Sequence, residues 1–281
     1  MYLQDRIKSV IKENSDVSKP LTRNLIKEEL QNIVLNFVYN NKVYKDLIFT
    51  GGTCLRKVYG LNRLSEDLDF DYTDSLDLPK FAEDVKNYIA ADFLYQNMNT
   101  KMATNGKSVF FKFPILKELG LQVSQTPQDI FLRCDFAKES FGLYSTEVNL
   151  VNAGFYSFFV NSFDLSTMFA NKIAAFLERV FFKGEFQKIP FKGRDIYDIY
   201  WFIQLSAKSG YKLKPKADRL LALLKVQSIA QVKSQLVQKL ELVDQDAVYN
   251  DLLPLMEPGA LLEQFKTTFK STILTGLDFV F

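Results

Sequence analysis

The sequence predicts an α+β protein in two parts, a mixed α/β half over residues 1–161 and a helical half over 162–281. Three observations lead there. Between residues 46 and 160, short apolar or alternating runs of strand length are interleaved with segments of helical period. After Asp164 the strand patterns stop and apolar residues recur at helical spacing. The length of 281 residues lies near the size at which one core divides into two.

Taken in order, Ser18-Lys19-Pro20 precedes apolar Leu25, Leu30, Ile33, Val34, Phe37 and Val38, an amphipathic helix with proline in its first turn. Asp46–Thr50 reads as a buried strand that runs into Gly51-Gly52-Thr53, after which Leu55, Val58 and Tyr59 begin a helix. Asp67-Leu-Asp-Phe-Asp-Tyr72 alternates acid with apolar residues, so its acids share one face of a strand. Asp77-Leu-Pro79 caps a helix to about Tyr95, with Phe81, Val85 and Ile89 on one face. Strands are expected at 108–116, 129–136, 146–151 and 154–160, then helices at 165–182 and 195–208 and shorter ones to about Lys270. Segments 182–193 and 210–215, rich in Gly and Pro, read as loops.

Composition narrows the chemistry. The chain has no histidine, which excludes a Ser-His-Asp triad, a Cys-His dyad and a His-ligated zinc site. An enzyme built from it works with carboxylates, lysine, hydroxyls, backbone amides or a hard metal held by oxygen. Cys54 and Cys134 lie in apolar-rich segments and read as buried thiols of a reducing compartment. No secretion signal is evident and no run of about 18 apolar residues occurs, so the expectation is a cytoplasmic protein without a membrane partner. Net charge is only +2, but residues 61–92 hold nine acids against three cations, and residues 183–219 hold nine cations against four acids. Such segregation fits a metal-dependent centre beside a polyanion-binding surface, although charge counts alone favour two solvated faces.

The chemistry concentrates between Gly51 and Phe70. Gly51 and Gly52, between strand and helix, let the backbone approach a ligand, and the following amides with the Thr53 hydroxyl form an anion site. Asp67 and Asp69 lie two apart on a strand, where two carboxylates share divalent cations. Mg²⁺ suits that pairing, since it takes one or two protein carboxylates together with phosphate oxygens. A phosphate-gripping turn with a paired-carboxylate strand is an apparatus for phosphoryl or nucleotidyl transfer.

The order Gly-Gly-Thr-x-Leu…Gly-Leu-x-Arg-x-Ser-x-Asp-x-Asp-Phe resembles the AbiEii-type toxins of type IV toxin–antitoxin and abortive-infection systems, within the nucleotidyltransferase superfamily. The resemblance continues in Lys172 and Arg179, one heptad apart on an apolar helix, and in Arg194-Asp195-x-x-Asp198. It implies an N-terminal nucleotidyltransferase-like mixed sheet with flanking helices and a C-terminal helical bundle. It also implies a nucleotidyltransferase using Mg²⁺ (or Mn²⁺) to move a nucleotide from an NTP to an acceptor, structured RNA such as tRNA, with a cognate antitoxin as partner. In that reading Gly51, Gly52 and Thr53 hold the triphosphate, with Arg63 and Ser65 positioning phosphate or carboxylates. Asp67 and Asp69 hold metal, and Asp135, at the end of the strand run Ile130–Phe136, is third ligand or base. Lys172, helped by Arg179, counters triphosphate charge. Asp71 is a rival third acid, in register with the pair. Asp195 reads as a helix cap, and Asp198 as either a first-turn acid or a site residue. The alternatives are a transferase acting on a protein or small molecule, and a catalytically silent nucleotide-binding module.

Overall fold

The structure is a computed structural model that describes residues 2–120, 129–179, 181–183, 187–189, 191–208 and 213–281. Its elements in chain order are α1 (Leu3–Glu13), α2 (Lys19–Asn40), β1 (Ile48–Thr50), α3 (Gly51–Tyr59), β2 (Asp67–Tyr72), α4 (Leu78–Asp92), β3 (Asn99–Met102), β4 (Ser108–Phe113), α5 (Ile115–Glu118), β5 (Ile130–Lys138), β6 (Thr146–Ala153) and β7 (Tyr156–Phe163). There follow α6 (Leu165–Glu178), β8 (Phe181–Lys183), β9 (Gln187–Ile189), α7 (Gly193–Lys208), α8 (Ala217–Leu224), α9 (Ile229–Glu241), α10 (Gln245–Leu252) and α11 (Ala260–Val280). The chain divides into two compact units, residues 1–140 with 147–162, and residues 141–146 with 163–281.

The first unit is built on a seven-stranded sheet in the order β3-β4-β5-β2-β1-β7-β6. It is mixed: β1 pairs antiparallel with β2 and parallel with β7, β2 pairs parallel with β5, and β4 pairs antiparallel with β3 and β5. Alternation along β2 buries Leu68 and Phe70 and leaves Asp67, Asp69 and Asp71 on the more open face. On the buried face, Phe49, Phe70 and Phe136 are neighbours in register on β1, β2 and β5, with ring centroids 5.6 and 5.5 Å apart. Phe81 of α4 meets Phe136 edge-on at 5.0 Å, so α4 covers this face. Much of the unusual phenylalanine content is therefore core, each ring pair contributing about 0.5–1.5 kcal/mol beyond its area. Asp77 caps α4, its side chain accepting from the Lys80 amide at 2.9 Å.

In the second unit, Phe169 of α6 stacks on Phe202 of α7 at 4.5 Å, and Tyr197 and Tyr200 of α7 meet Phe265 of α11 edge-on. Ser228 and Gln231 form a capping box that starts α9.

The differences from the sequence reading have local causes. Helix α6 ends at Glu178 rather than 182, where the Lys239 ammonium donates to the carbonyls of Leu177 and Arg179 at 2.8 and 3.0 Å. The expected loop 182–193 contains part of a hairpin, β8 with β9, and the opening of α7; its residues 184–186 and 190, like residues 210–212 of the second loop, lie outside those described. The expected strand to Leu116 stops at Phe113, before the turn of α5 that follows Pro114. No helix among the described residues is long and apolar enough to cross a membrane.

Candidate active site

The Gly51–Phe70 segment folds as one unit around the end of β1. Helix α3 begins at Gly51 itself, whose φ of +77° is a left-handed value that favours glycine. A Cβ at Gly51 would overlap the Asp69 carboxylate, 2.6 Å from its Cγ, and a Cβ at Gly52 would lie 2.7 Å from Arg63 Nη2 and 2.8 Å from Ser65 Oγ. The two glycines are therefore wedged between the acidic strand and the Arg63–Ser65 loop. At the other end, Gly60 closes the helix in the left-handed conformation, and the Leu61 amide donates to the Leu55 carbonyl.

Thr53 is fully buried, and its hydroxyl donates to the Asp67 carbonyl at 2.5 Å, tying α3 to β2. Arg63 is also buried and donates to the Leu64 carbonyl at 2.9 Å. Helix α2 braces the same segment. The Gln31 amide donates to the Ser65 carbonyl at 2.9 Å, Lys27 pairs with Glu66 at 2.8 Å, and Glu28 receives Arg56 and Lys57 of α3 at 2.5 and 2.9 Å. Burial acts to raise the Glu28 pKa, but the two cations outweigh it and hold the carboxyl below its ordinary value.

Across β2, Asp69 is the Cα partner of Thr50 on β1 and of Asp135 on β5, while Asp67 is that of Arg133 and Asp71 that of Ile48. Partners in register share a face, so Asp67, Asp69, Asp135 and Arg133 stand together on the more open side of the sheet. Asp135 Oδ1 accepts from Arg133 Nε at 2.8 Å and from the Ser108 hydroxyl. Cys134 points to the opposite, buried face, where burial first and then Asp135, Asp67 and Asp69 push its thiol well up, so it stays protonated.

Among the described residues no three carboxylates or thiols gather into a ready-made metal cage. A Mg²⁺ ion asks for less, one or two protein carboxylates completed by phosphate oxygens and water, and Asp67 and Asp69 are carboxylates of the kind that would hold it.

The second unit holds its own charged cluster. Lys172 of α6 pairs with fully buried Asp198 of α7 at 2.7 Å, and Arg179 pairs with buried Asp195. Asp195 is thus not the cap that the sequence reading assigned. Helix α7 starts two residues earlier, at Gly193, which puts Asp195 inside the first turn and against Arg179. The basic stretch 183–219 is not one free surface. Arg219 is buried, donating to Asn171 at 2.6 Å and lying over the Phe163 ring, and Lys216 donates to Ser145 Oγ at 2.8 Å.

A sequence family described as nucleotidyl transferase AbiEii toxin, type IV TA system, matches residues 37–271, which include every residue named in both clusters except the α2 braces. The chain belongs to the AbiEii family. As an AbiEii protein it is a nucleotidyltransferase toxin of a type IV toxin–antitoxin system, a family that implies an NTP substrate and an antitoxin partner. Among solved structures, MenT4, a nucleotidyltransferase toxin of Mycobacterium tuberculosis H37Rv, is similar over 99% of this chain and 89% of its own, at 14% identity and a TM-score of 0.60. JHP933 of Helicobacter pylori is 18% identical over 94% and 95% of the two chains, with a TM-score of 0.49. No curated protein matches the chain.

Sequence reasoning missed Lys27, Glu28 and Gln31, because a polar stripe on an amphipathic helix reads as solvated. It also missed Ser108 and Arg133. Arg133 had a usable signal, its place two residues before Asp135 on a strand and so on the same face.

Proposed function

We propose that this AbiEii toxin transfers a nucleotide from an NTP to an RNA acceptor, tRNA-like in structure, with Mg²⁺ (or Mn²⁺) held by Asp67 and Asp69. The observation that supports it most is the contact of Gly51 with the Asp69 carboxylate, which joins an N-terminal helix turn rich in amides to a pair of oxygen ligands. In this reading the amides following Gly51 and Gly52 receive the triphosphate. Thr53, Arg63 and Ser65 act behind them, Thr53 by fixing Asp67 through its carbonyl and the other two by backing Gly52. The acceptor hydroxyl oxygen forms a bond to the α-phosphorus, the bond to the β-phosphate oxygen breaks, and pyrophosphate leaves. Asp135, steadied by Ser108 and Arg133, is the candidate to take the hydroxyl proton or to join the metal site. The bound metal would supply charge neutralisation at the phosphates. For the second unit we assign Lys172 and Arg179 to the reaction on the family resemblance, with Asp198 and Asp195 as the carboxylates that orient them.

The test is incubation of the purified protein with each α-labelled NTP, Mg²⁺ and either total tRNA or total protein. Label on tRNA, lost with Asp67→Ala and with Lys172→Ala, is the expected result. Label on protein alone, or on neither, contradicts it.

A further inference from the structure

Beyond the acidic pair, the open face of the sheet continues over β5, β4 and β3, and its side chains change character. One row of Cα partners runs Asp67, Arg133, Phe110, Lys101, and a second runs Phe131, Lys112, Asn99. With strands about 4.8 Å apart, Phe110 stands about 10 Å from Asp67 along the first row. Phe131 is 44% exposed, Phe110 is half-buried, and each ring has a cation over it, Lys112 Nζ at 5.9 Å and Arg133 Cζ at 5.6 Å. Lys112 pairs with Asp129 at 2.9 Å and Arg133 with Asp135, both cations from partly exposed positions. The β3–β4 hairpin, residues 99–113, carries Lys101, Lys107 and Lys112 and no acid, in contrast to β2 beside it. Rings alternating with cations on an open face are the elements that bind single-stranded nucleic acid, base on ring and phosphate on cation.

The side of the sheet decides which strand this is. Gly51 and the start of α3 lie at β1, on one side of the Asp69 carboxylate, and Phe131 of β5 and Phe110 of β4 lie on the other. An in-line displacement needs the attacking and leaving oxygens on opposite sides of the α-phosphorus. With pyrophosphate leaving at α3, the nucleophile enters from β5. We infer that the β5–β4–β3 face is the acceptor platform, on which the unpaired end of an RNA strand stacks against Phe110 and Phe131 with its phosphates near Lys101, Lys112 and Arg133. This rests on the nucleotidyl-transfer reading above and adds the acceptor's subsite to it.

The experiment measures, without NTP, the binding of a fluorescein-labelled single-stranded RNA and of a blunt RNA duplex by anisotropy, and separately the binding of a non-hydrolysable NTP. The expected result is preference for the single strand, affinity reduced about 5- to 150-fold in Phe131→Ala and in Phe110→Ala, and near wild-type binding in Phe131→Tyr and Phe110→Trp. NTP affinity stays within about twofold in all four variants. Lys112→Ala lowers the salt slope of RNA binding by about one. Because Phe131 is already half in water, its alanine variant is expected to fold, and a thermal melt identical to wild type checks that. Unchanged RNA affinity in both alanine variants, while the wild type labels RNA, overturns the platform and leaves the transfer reading standing. Loss of NTP affinity in step with RNA affinity also overturns it, since the rings then serve the nucleotide's own base. Labelling of a protein with no RNA binding by the wild type overturns the RNA acceptor and the platform together.

Discussion

Two glycines bracket helix α3 with nearly the same backbone, Gly51 at φ +77° and Gly60 at φ +78°, and they make a controlled comparison. Alanine at either position carries the left-handed penalty of about 1–2 kcal/mol, worth about 2–4 °C in Tm per kcal/mol at this size. Around Gly60 there is nothing within 4 Å of the added Cβ, so the cost ends there. At Gly51 the new Cβ meets the side chain of Asp69, 2.6 Å from Cγ and 2.9 Å from Cβ, and the carboxylate has to move aside by an ångström or so. Displacement of a catalytic group by about 1 Å lowers rate by about 100-fold. Gly51→Ala is therefore expected to lose more stability than Gly60→Ala in thermal melts, by the cost of displacing Asp69. In a label-transfer assay Gly60→Ala stays within about threefold of wild type, while Gly51→Ala falls by about 100-fold. Equal transfer rates in the two variants refute the reasoning, because they mean that the Asp69 position next to Gly51 is irrelevant to the chemistry.

Lys172→Met removes the cation paired with the buried Asp198 carboxylate, so urea unfolding is expected to show a loss of about 3 kcal/mol. Asp198→Asn in the same background adds much less than it does alone, and additive losses contradict the pairing. Because the fold lowers the Glu28 pKa, its contribution to stability is complete above the unfolded-state value, about 4.3, and is lost as pH falls through the lower folded value. Glu28→Gln is thus expected to flatten the acid side of the stability profile below about pH 4.5, and an unchanged acid limb contradicts the brace. With no histidine in the chain, the pH–rate profile has no step near 6.5 from imidazole; a step there that survives a change of metal and acceptor contradicts this assignment of groups.

The parts of the fold legible in the sequence were those with local signals. The Asp77 cap, the alternation of β2 and the Gly-Gly start of α3 each need only a few neighbouring residues, and each stands where its pattern placed it. Strand β3 is short, exposed and polar, and it is a strand because β4 pairs with it, which no local period reports. Asp195 shows the same limit, since Gly-Arg-Asp before an apolar run suits a cap as well as a first turn, and Arg179, sixteen residues away, decides. Charge counting over 183–219 treated Arg219 as surface, although its guanidinium is buried against Asn171 and Phe163. For the candidate site, the shared face of Asp67 and Asp69 was legible from their spacing, and the wiring around them was not. Thr53 reads as a phosphate hydroxyl in sequence, whereas the hydroxyl is bound to the Asp67 carbonyl.

The central claim is that the paired acids of β2, at the end of the sheet where α3 begins, run the transfer. The direct measurement compares Asp69→Asn with Asp71→Asn, two substitutions on the same face of one strand, for label transfer from α-labelled NTP and for Mn²⁺ binding by the protein with NTP present. Asp69 is the partner of Thr50 and abuts Gly51, while Asp71 lies one step farther, opposite Ile48. The expected result is loss of both transfer and Mn²⁺ binding in Asp69→Asn, with both retained in Asp71→Asn. Wild-type transfer by Asp69→Asn contradicts the account.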